Sequence, residues 1–324
     1  MKKKSLILMA VIAAVLSLAA CKKQKSEPPK ESTPESIVQS SEPEESSEEE
    51  SSEPEFDEDS MPYGYEKIDG EWTYRLSTLG EFEYTIINNK CVLIHYTGTP
   101  GNSVTVPPTY TIDEKQYQVT LGAGCFKETG ITHLTLPETV TEIPDSLCEK
   151  CQQLMEVRFS NVKTIGDKAF YGCENWKFQQ ADLNNGNPDL IESIGENAFT
   201  ATGMYGKLVV KPTTKIKKGS YQYCQVEEVE IQSGITEIPD YCFAENPITK
   251  VTIPDTVTSI GRQAFSSTSL ETIYVPKSVT ELGYLWITTV NDYDWKYRGI
   301  MVGSKGSAAE EYAKENEITF TAID

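Results

Sequence analysis

The stretch Thr164-Ile165-Gly166-Asp167-Lys168-Ala169-Phe170-Tyr171-Gly172-Cys173 sets the architecture, because variants of it return along most of the chain. With Ile-Gly-x-x-Ala-Phe as the unit, copies begin at Leu121, Ile143, Ile165, Ile194, Ile216, Ile238, Ile260 and, in decayed form, Leu282. Every step is 22 residues except that from Ile165 to Ile194, which is 29. The sixth position reads Phe126, Cys148, Phe170, Phe199, Tyr221, Phe243 and Phe265, a bulky apolar or sulfur-bearing side chain at one fixed place. Self-similarity at a constant period of this length marks a chain wound into stacked coils.

Each unit is followed by a short alternating apolar run, as in Ile131-x-x-Leu134-x-Leu136-Pro137, Val226-x-x-Val229-x-Ile231 and Leu270-x-x-Ile273-x-Val275-Pro276. Period-two alternation closed by Pro reads as a strand of three to five residues. A smaller anchor (Val140, Val162, Ile235, Val257 or Val279) stands three residues before the next unit. One lap is therefore strand, turn, short extended piece and helical turn. The pattern predicts a leucine-rich-repeat solenoid of mainly short parallel strands with short helical turns, a right-handed β/α superhelix. A lap cannot bury its own apolar residues, so laps must stack. At roughly 1.5 to 3 kcal/mol per fully buried large apolar side chain, a lap only narrowly offsets the ordering of its residues, and stability must be cooperative along the stack.

Departures from the pattern carry information. Ile143-Pro144 and Ile238-Pro239 put Pro where Gly is usual, a swap expected where a helical turn begins. The long step holds Asn184-Asn185-Gly186-Asn187-Pro188, which predicts a turn-forming bulge on the surface. The strand before it, Trp176 to Leu183, is the least regular of the set.

The net charge of −20 hides a split. Residues 26–60 hold 14 Asp/Glu and one Lys, whereas 61–324 hold 35 Asp/Glu and 22 Lys/Arg over a far longer stretch. An acidic chain without a basic stripe is a poor nucleic-acid binder, so no nucleic-acid partner is expected.

In chain order, residues 1–20 open with Lys2-Lys3-Lys4 and continue in an apolar run from Leu6 to Ala20, which reads as an export signal. Leu18-Ala19-Ala20-Cys21 resembles the lipobox of bacterial lipoproteins. The resemblance implies diacylglyceryl attachment at Cys21, cleavage before it and acylation of the new N-terminus, which together anchor stably. An ordinary signal peptide with an incidental cysteine is the alternative. Residues 21–60 comprise this cysteine and an acidic Ser/Glu/Pro tether too poor in apolar residues to fold. Its expected reach is roughly 35 Å, lengthened by Glu repulsion. Residues 61–120 are assigned to an N-terminal β-hairpin cap and first repeat, the hairpin running through Tyr84-Thr85-Ile86-Ile87, the turn Asn88-Asn89 and Lys90 to Ile94. Residues 121–283 are the repeats of about 22 residues. Residues 284–324 form a C-terminal helix-strand cap, with capping-box spacing at Ser307-Ala308-Ala309-Glu310, a helix over 308–316 and a strand at Ile318-Thr319-Phe320.

The Ile-Gly-x-x-Ala-Phe-x-Gly-Cys units with Leu-Pro or Ile-Pro strand ends resemble the BspA-type leucine-rich repeats of bacterial cell-surface proteins. Gly303 to Lys314 is similar to the C-terminal cap such proteins often carry. The likeness covers roughly residues 82 to 324. It implies an extracytoplasmic, lipid-anchored protein at the bacterial cell surface that adheres to a protein or glycan of host matrix or bacterial envelope. It supplies no residue-level binding motif.

Catalytic chemistry finds no foothold. His95 and His133 are the only histidines, and neither stands beside a nucleophile pattern such as Gly-x-Ser-x-Gly. Gly303-Ser304-Lys305-Gly306-Ser307 lacks Walker spacing. Cys148-x-x-Cys151 permits a disulfide or metal reading, but register gives Cys148 the phenylalanine position and Cys151 the ninth position shared with Cys173 and Cys224. Reduced core thiols are therefore favoured. No cofactor, no metal and no enzymatic activity are expected. The remaining surface is the strand face, where residues alternating with the buried ones should form two rows on the concave side: His133 and Thr135, Glu156 and Arg158, Val209 and Lys211, Glu228 and Glu230, Lys250 and Thr252, Thr272 and Tyr274. The alternative is a solvated strand face on an envelope scaffold or spacer; a solute-binding or enzymatic lipoprotein ranks below both.

Overall fold

A computed structural model describes residues 65–68, 71–74, 76–289 and 296–323. The expected signal segment, Cys21 and the acidic tether lie outside the described residues. The chain divides into two units between Thr73 and Tyr74. Tyr65–Ile68 pairs with the strand Glu71–Tyr74, whose last residue already belongs to the second unit.

The second unit begins with a five-stranded mixed sheet, larger than the hairpin read from sequence. Phe82–Ile87 and Lys90–Tyr96 form that hairpin, with Asn88 and Asn89 both at positive φ in its two-residue turn. Ser77–Leu79 pairs antiparallel with the first of these strands, Lys115–Leu121 pairs parallel with the second, and Thr109–Ile112 completes the sheet.

From Ser103 onward the coils pair in parallel. The apolar runs form strands such as His133–Thr135 beside Ser103–Thr105, and Gln225–Ile231 beside Gly203–Val210. From the second unit onward the first residue belongs to a two-residue strand on a second face: Ile143, Ile165, Ile194 and Ile216 lie in one ladder, Ile238, Ile260 and Leu282 in another.

The expected helical turn is not a helix. At the fourth position every copy has positive φ (Gly124, Ser146, Lys168, Asn197, Gly219, Tyr241, Gln263, Leu285), and the eighth position repeats this from Glu128 to Ser267. Most of these residues are not glycine, so each costs about 1 kcal/mol of backbone strain. The strain turns alternate N–H groups toward the next coil. The N–H groups of Lys168, Phe170 and Gly172 donate to the C=O groups of Glu196, Ala198 and Thr200 at 2.8, 2.9 and 2.9 Å. An α-helix would have spent those donors within its own coil. Pro144 and Pro239 open such turns, where a fixed φ is tolerated.

The sixth-position side chains form the spine. Phe170, Phe199, Tyr221, Phe243 and Phe265 stack at centroid spacings of 5.7, 5.8, 6.1 and 5.3 Å. Phe126 packs against Phe82 and Tyr96 at one end, and Trp286 packs between Phe265 and Tyr312 at the other. Cys148 interrupts the aromatic series. Gly166 and Gly261 stand where coils touch closely: a Cβ on either would lie 2.6 or 2.5 Å from the backbone nitrogen of Asp145 or Asp240. The α-helix Ala308–Glu315 starts at Ser307, whose Oγ accepts from the Glu310 N–H, and is followed by the strand Thr319–Ile323.

Candidate functional site

The outward rows of the strand face follow from register. His133 stands between Ser103 and Glu156, and Thr135 between Thr105 and Arg158. Farther along, Glu228 lies between Lys207 and Lys250, and Glu230 between Val209 and Thr252. Thr272 and Tyr274 pair with Ile300 and Val302. The pairing of Val209 with Lys211 needs correction. Leu208 and Val210 are buried, which makes Lys207 and Val209 the outward pair, beside Glu228 and Glu230. Lys211 falls past the strand end and bonds Asp189 of the long coil.

The central charges of this face neutralise one another. Lys207 Nζ lies 3.2 Å from Glu228 and 2.7 Å from Glu230, and Lys250 reaches Glu228 at 2.8 Å. The Lys250 and Lys207 ammonium groups hold the Glu228 carboxyl below its ordinary range, Lys207 does the same for Glu230, and these carboxylates raise the Lys207 ammonium. Toward the C-terminal end the face becomes uncharged, with Tyr274 and Ile300 exposed.

The ladder is interrupted at the long coil. Glu156–Arg158 ends one sheet and Lys177–Phe178 begins the next, with no ladder pairing between the two strands. After Phe178 the chain turns into a 3-10 segment, Gln180–Gly186, kinked at Leu183 to Asn185. Here the surface-bulge expectation fails in part, since Leu183 and Asn184 are buried. The Asn184 amide substitutes for a missing coil: its Oδ1 accepts from the Val162 N–H at 3.0 Å and its Nδ2 donates to the Val162 C=O at 2.8 Å. Gln180 does the same for Val209 on the other side, at 2.8 and 2.9 Å.

Between these capped edges lies a groove of about 850 Å³. It brings together four of the residues expected from sequence, His133, Thr135, Glu156 and Arg158, and adds Met155, Lys177, Asp182 and Asn185. The buried part of its lining is apolar: Leu136, Phe159, Trp176, Phe178 and Leu183. Arg158 Nε is held 2.7 Å from Glu156 Oε1, and His133 Nδ1 lies 3.0 Å from the Thr132 hydroxyl. The other expected residues, from Val209 to Tyr274, lie outside this groove. The sequence signal for it was the 29-residue step itself, which marks where the ladder is disturbed but not which side chains it gathers.

The seven described cysteines are free and buried. The ninth-position thiols act as more than filler. Cys151, Cys173 and Cys224 donate to the sixth-position carbonyls of the preceding coil, Phe126, Cys148 and Phe199, at 2.8, 3.0 and 3.1 Å. Asn246 occupies the same position and donates to Tyr221 while accepting from Val226. Burial pushes the Cys148, Cys173 and Cys242 thiols well up, whereas the hydrogen bond from Cys148 lowers Cys151. Among the described residues no group of three or more His, Cys, Asp or Glu could hold a metal ion.

Short parallel strands, one set per coil, with a bulky buried side chain, mostly aromatic, at one fixed point of the lap, define a leucine-rich-repeat protein. The BspA type leucine-rich-repeat region, in six copies, matches residues 119–205 and 177–286, more than half of the sequence, and the chain belongs to that family. No curated protein matches it. A leucine-rich-repeat protein from Bacteroides ovatus is similar in fold, with a TM-score of 0.52 and 20% identity over 75% of this chain and 66% of that one. A leucine-rich cell-surface protein from Faecalibacterium prausnitzii is 25% identical over 65% of this chain and 51% of that one, with a TM-score of 0.42. The chain thus spans between half and two thirds of the lengths of these two proteins.

Proposed function

We propose that this chain is a lipid-anchored bacterial surface protein whose repeats bind another macromolecule, a protein or glycan of host matrix or bacterial envelope, without catalysing a reaction. The observation that carries the reading is the groove at the ladder interruption, where four strand-face residues and the long coil converge on an apolar lining. Family membership supports a binding role at the cell surface. Export and anchoring rest on the signal-like opening and on Cys21 in its lipobox-like context. We read the sheet 77–121 and the segment 300–323 as caps. Support comes from the packing of Phe82 and Tyr96 on Phe126 at one end of the aromatic spine, and of Tyr312 on Trp286 at the other.

Two measurements test this. Cys21→Ser moves the protein from the detergent to the aqueous phase in a partitioning assay; retention in detergent refutes lipid anchoring there. Full-length protein binds at least one of immobilised matrix proteins, glycans or envelope fractions, and the Arg158→Ala/Asp182→Ala pair weakens that binding. Unchanged binding removes the groove as its location.

One observation favours a second reading, a spacer without a ligand: the Lys207, Glu228, Glu230 and Lys250 charges satisfy one another. Failure of every surface in the screen to retain the protein would select it.

A further inference from the structure

In a parallel ladder alternate residues turn both backbone groups to the same neighbour. Arg158 C=O accepts from the Leu136 N–H at 2.9 Å, so Glu156 and Arg158 face the strand His133–Thr135 and Val157 faces away from it. Gly203 N–H donates to the Trp176 C=O at 3.1 Å, so Trp176 and Phe178 face the strand Gly203–Val210 and Lys177 faces the other way. Val157 and Lys177 both line the groove. Neither backbone N–H nor either C=O of this pair has a hydrogen-bond partner among the described residues.

This contrasts with the adjoining edges. Asn184 covers Val162 and Gln180 covers Val209, each with a two-bond amide. The long coil therefore seals the interruption on either side and leaves one length of sheet edge open above apolar side chains.

Building on the proposed binding role, we infer that the groove takes an extended peptide segment of a partner protein, added as a strand against Val157 and Lys177. The open backbone groups select a polypeptide, which supplies a donor and an acceptor at strand spacing. The apolar lining selects alternation: every second peptide side chain turns down onto Leu136, Phe159 and Phe178, and those between turn out toward Arg158 and Asp182. The volume suits a short segment. A sugar is a poorer fit, because the aromatic rings here, Trp176 and Phe178, are buried and offer no open face.

The test uses proline, which deletes an N–H that the fold does not use. A random octapeptide library displayed on phage is selected on the immobilised full chain, and the enriched peptides are synthesised and titrated. Expected are peptides alternating apolar and polar residues, whose addition protects the Val157 and Lys177 amides from hydrogen exchange. Lys177→Pro weakens their binding about tenfold while Lys177→Ala stays within about twofold, because only the backbone bond is lost. Val157→Pro, compared with Val157→Ala, is the independent second pair, with melting temperature as the control for folding. The inference is overturned if no peptide is enriched, if Lys177→Ala weakens binding as much as Lys177→Pro, or if glycans bind the groove in place of peptides. In that event binding of matrix or envelope material that survives Lys177→Pro leaves the broader function standing and removes only the peptide site.

Discussion

The coils from Ile216 to Val275 and the stretch from Glu156 to Ile194 start from the same repeated unit and end differently. In the first, Tyr221, Phe243 and Phe265 stack at 6.1 and 5.3 Å, and the charges above them pair across strands. In the second, the strands Glu156–Arg158 and Lys177–Phe178 do not pair, seven extra residues follow Phe178, and amide side chains replace absent backbone. The contrast shows that the period, more than the composition, keeps the sheet closed. Across the 29-residue step the turn and the spine still stack, Ile165 beside Ile194 and Phe170 on Phe199, and the surplus is taken up on the strand face alone, as a wall with a groove beside it.

The largest expected effect separates the two regions by their cores. Phe243→Ala removes a fully buried ring between two stacked neighbours and should cost about 3 to 5 kcal/mol, read by chemical denaturation. Cys148→Ala, at the same position in the coil before the long step, should cost about 1 kcal/mol. Equal losses would mean that the aromatic stack adds nothing beyond ordinary burial.

Next comes the capping of the interruption. Asn184→Ala strands the Val162 N–H and C=O in a buried setting and should cost about 2 kcal/mol, with faster amide exchange at Val162. Asn184→Asp, which keeps the acceptor and loses the donor, should restore part of the protection. No change at Val162 would show that the amide is incidental.

The thiols give a pH test. Burial pushes Cys91 and Cys224 up to about 11 and Cys148, Cys173 and Cys242 well above the ordinary value. Above the unfolded thiol pKa the unfolded chain holds fewer protons than the folded one, so stability is complete below about 9 and falls as pH rises toward 11. Cys151 runs the other way, its thiol lowered by Cys148. Melting temperature should decline across that window, and the folded protein should resist alkylation at about pH 8, below the ordinary thiol pKa. Rapid stoichiometric alkylation without unfolding would sink the assignment.

The smallest effect belongs to the paired charges of the regular coils. Lys207→Ala should leave the melting temperature unchanged within error, because exposed pairs contribute little. It should still release the Glu228 and Glu230 carboxyls toward their ordinary pKa, visible by NMR titration. A large stability loss would make this row structural.

Much of the fold was legible in residues alone. The return of Ile165, Phe170 and Cys173 at equal steps identified stacked laps, and Ser307 to Glu310 marked the helix start, because apolar period and caps are local signals. The turn geometry was not legible. Lys168, Asn197 and Tyr241 read as ordinary helical residues, and only bonding to the next coil explains their positive φ. The candidate site was half legible. Alternation picked out His133, Thr135, Glu156 and Arg158 as outward, but Lys211 was chosen where the same alternation, counted back from Leu208 as in the other coils, gives Lys207.

Residue order alone settled the repeat, its period and the side chains that enter the spine, since each of these depends on which residue stands a fixed number of positions from another. Where the ladder breaks, which amides cover its edges and which backbone groups stay open emerged only once the coils were packed together. Those outcomes depend on the relative height of neighbouring coils, a quantity set by contacts between distant segments and carried by no single stretch of chain.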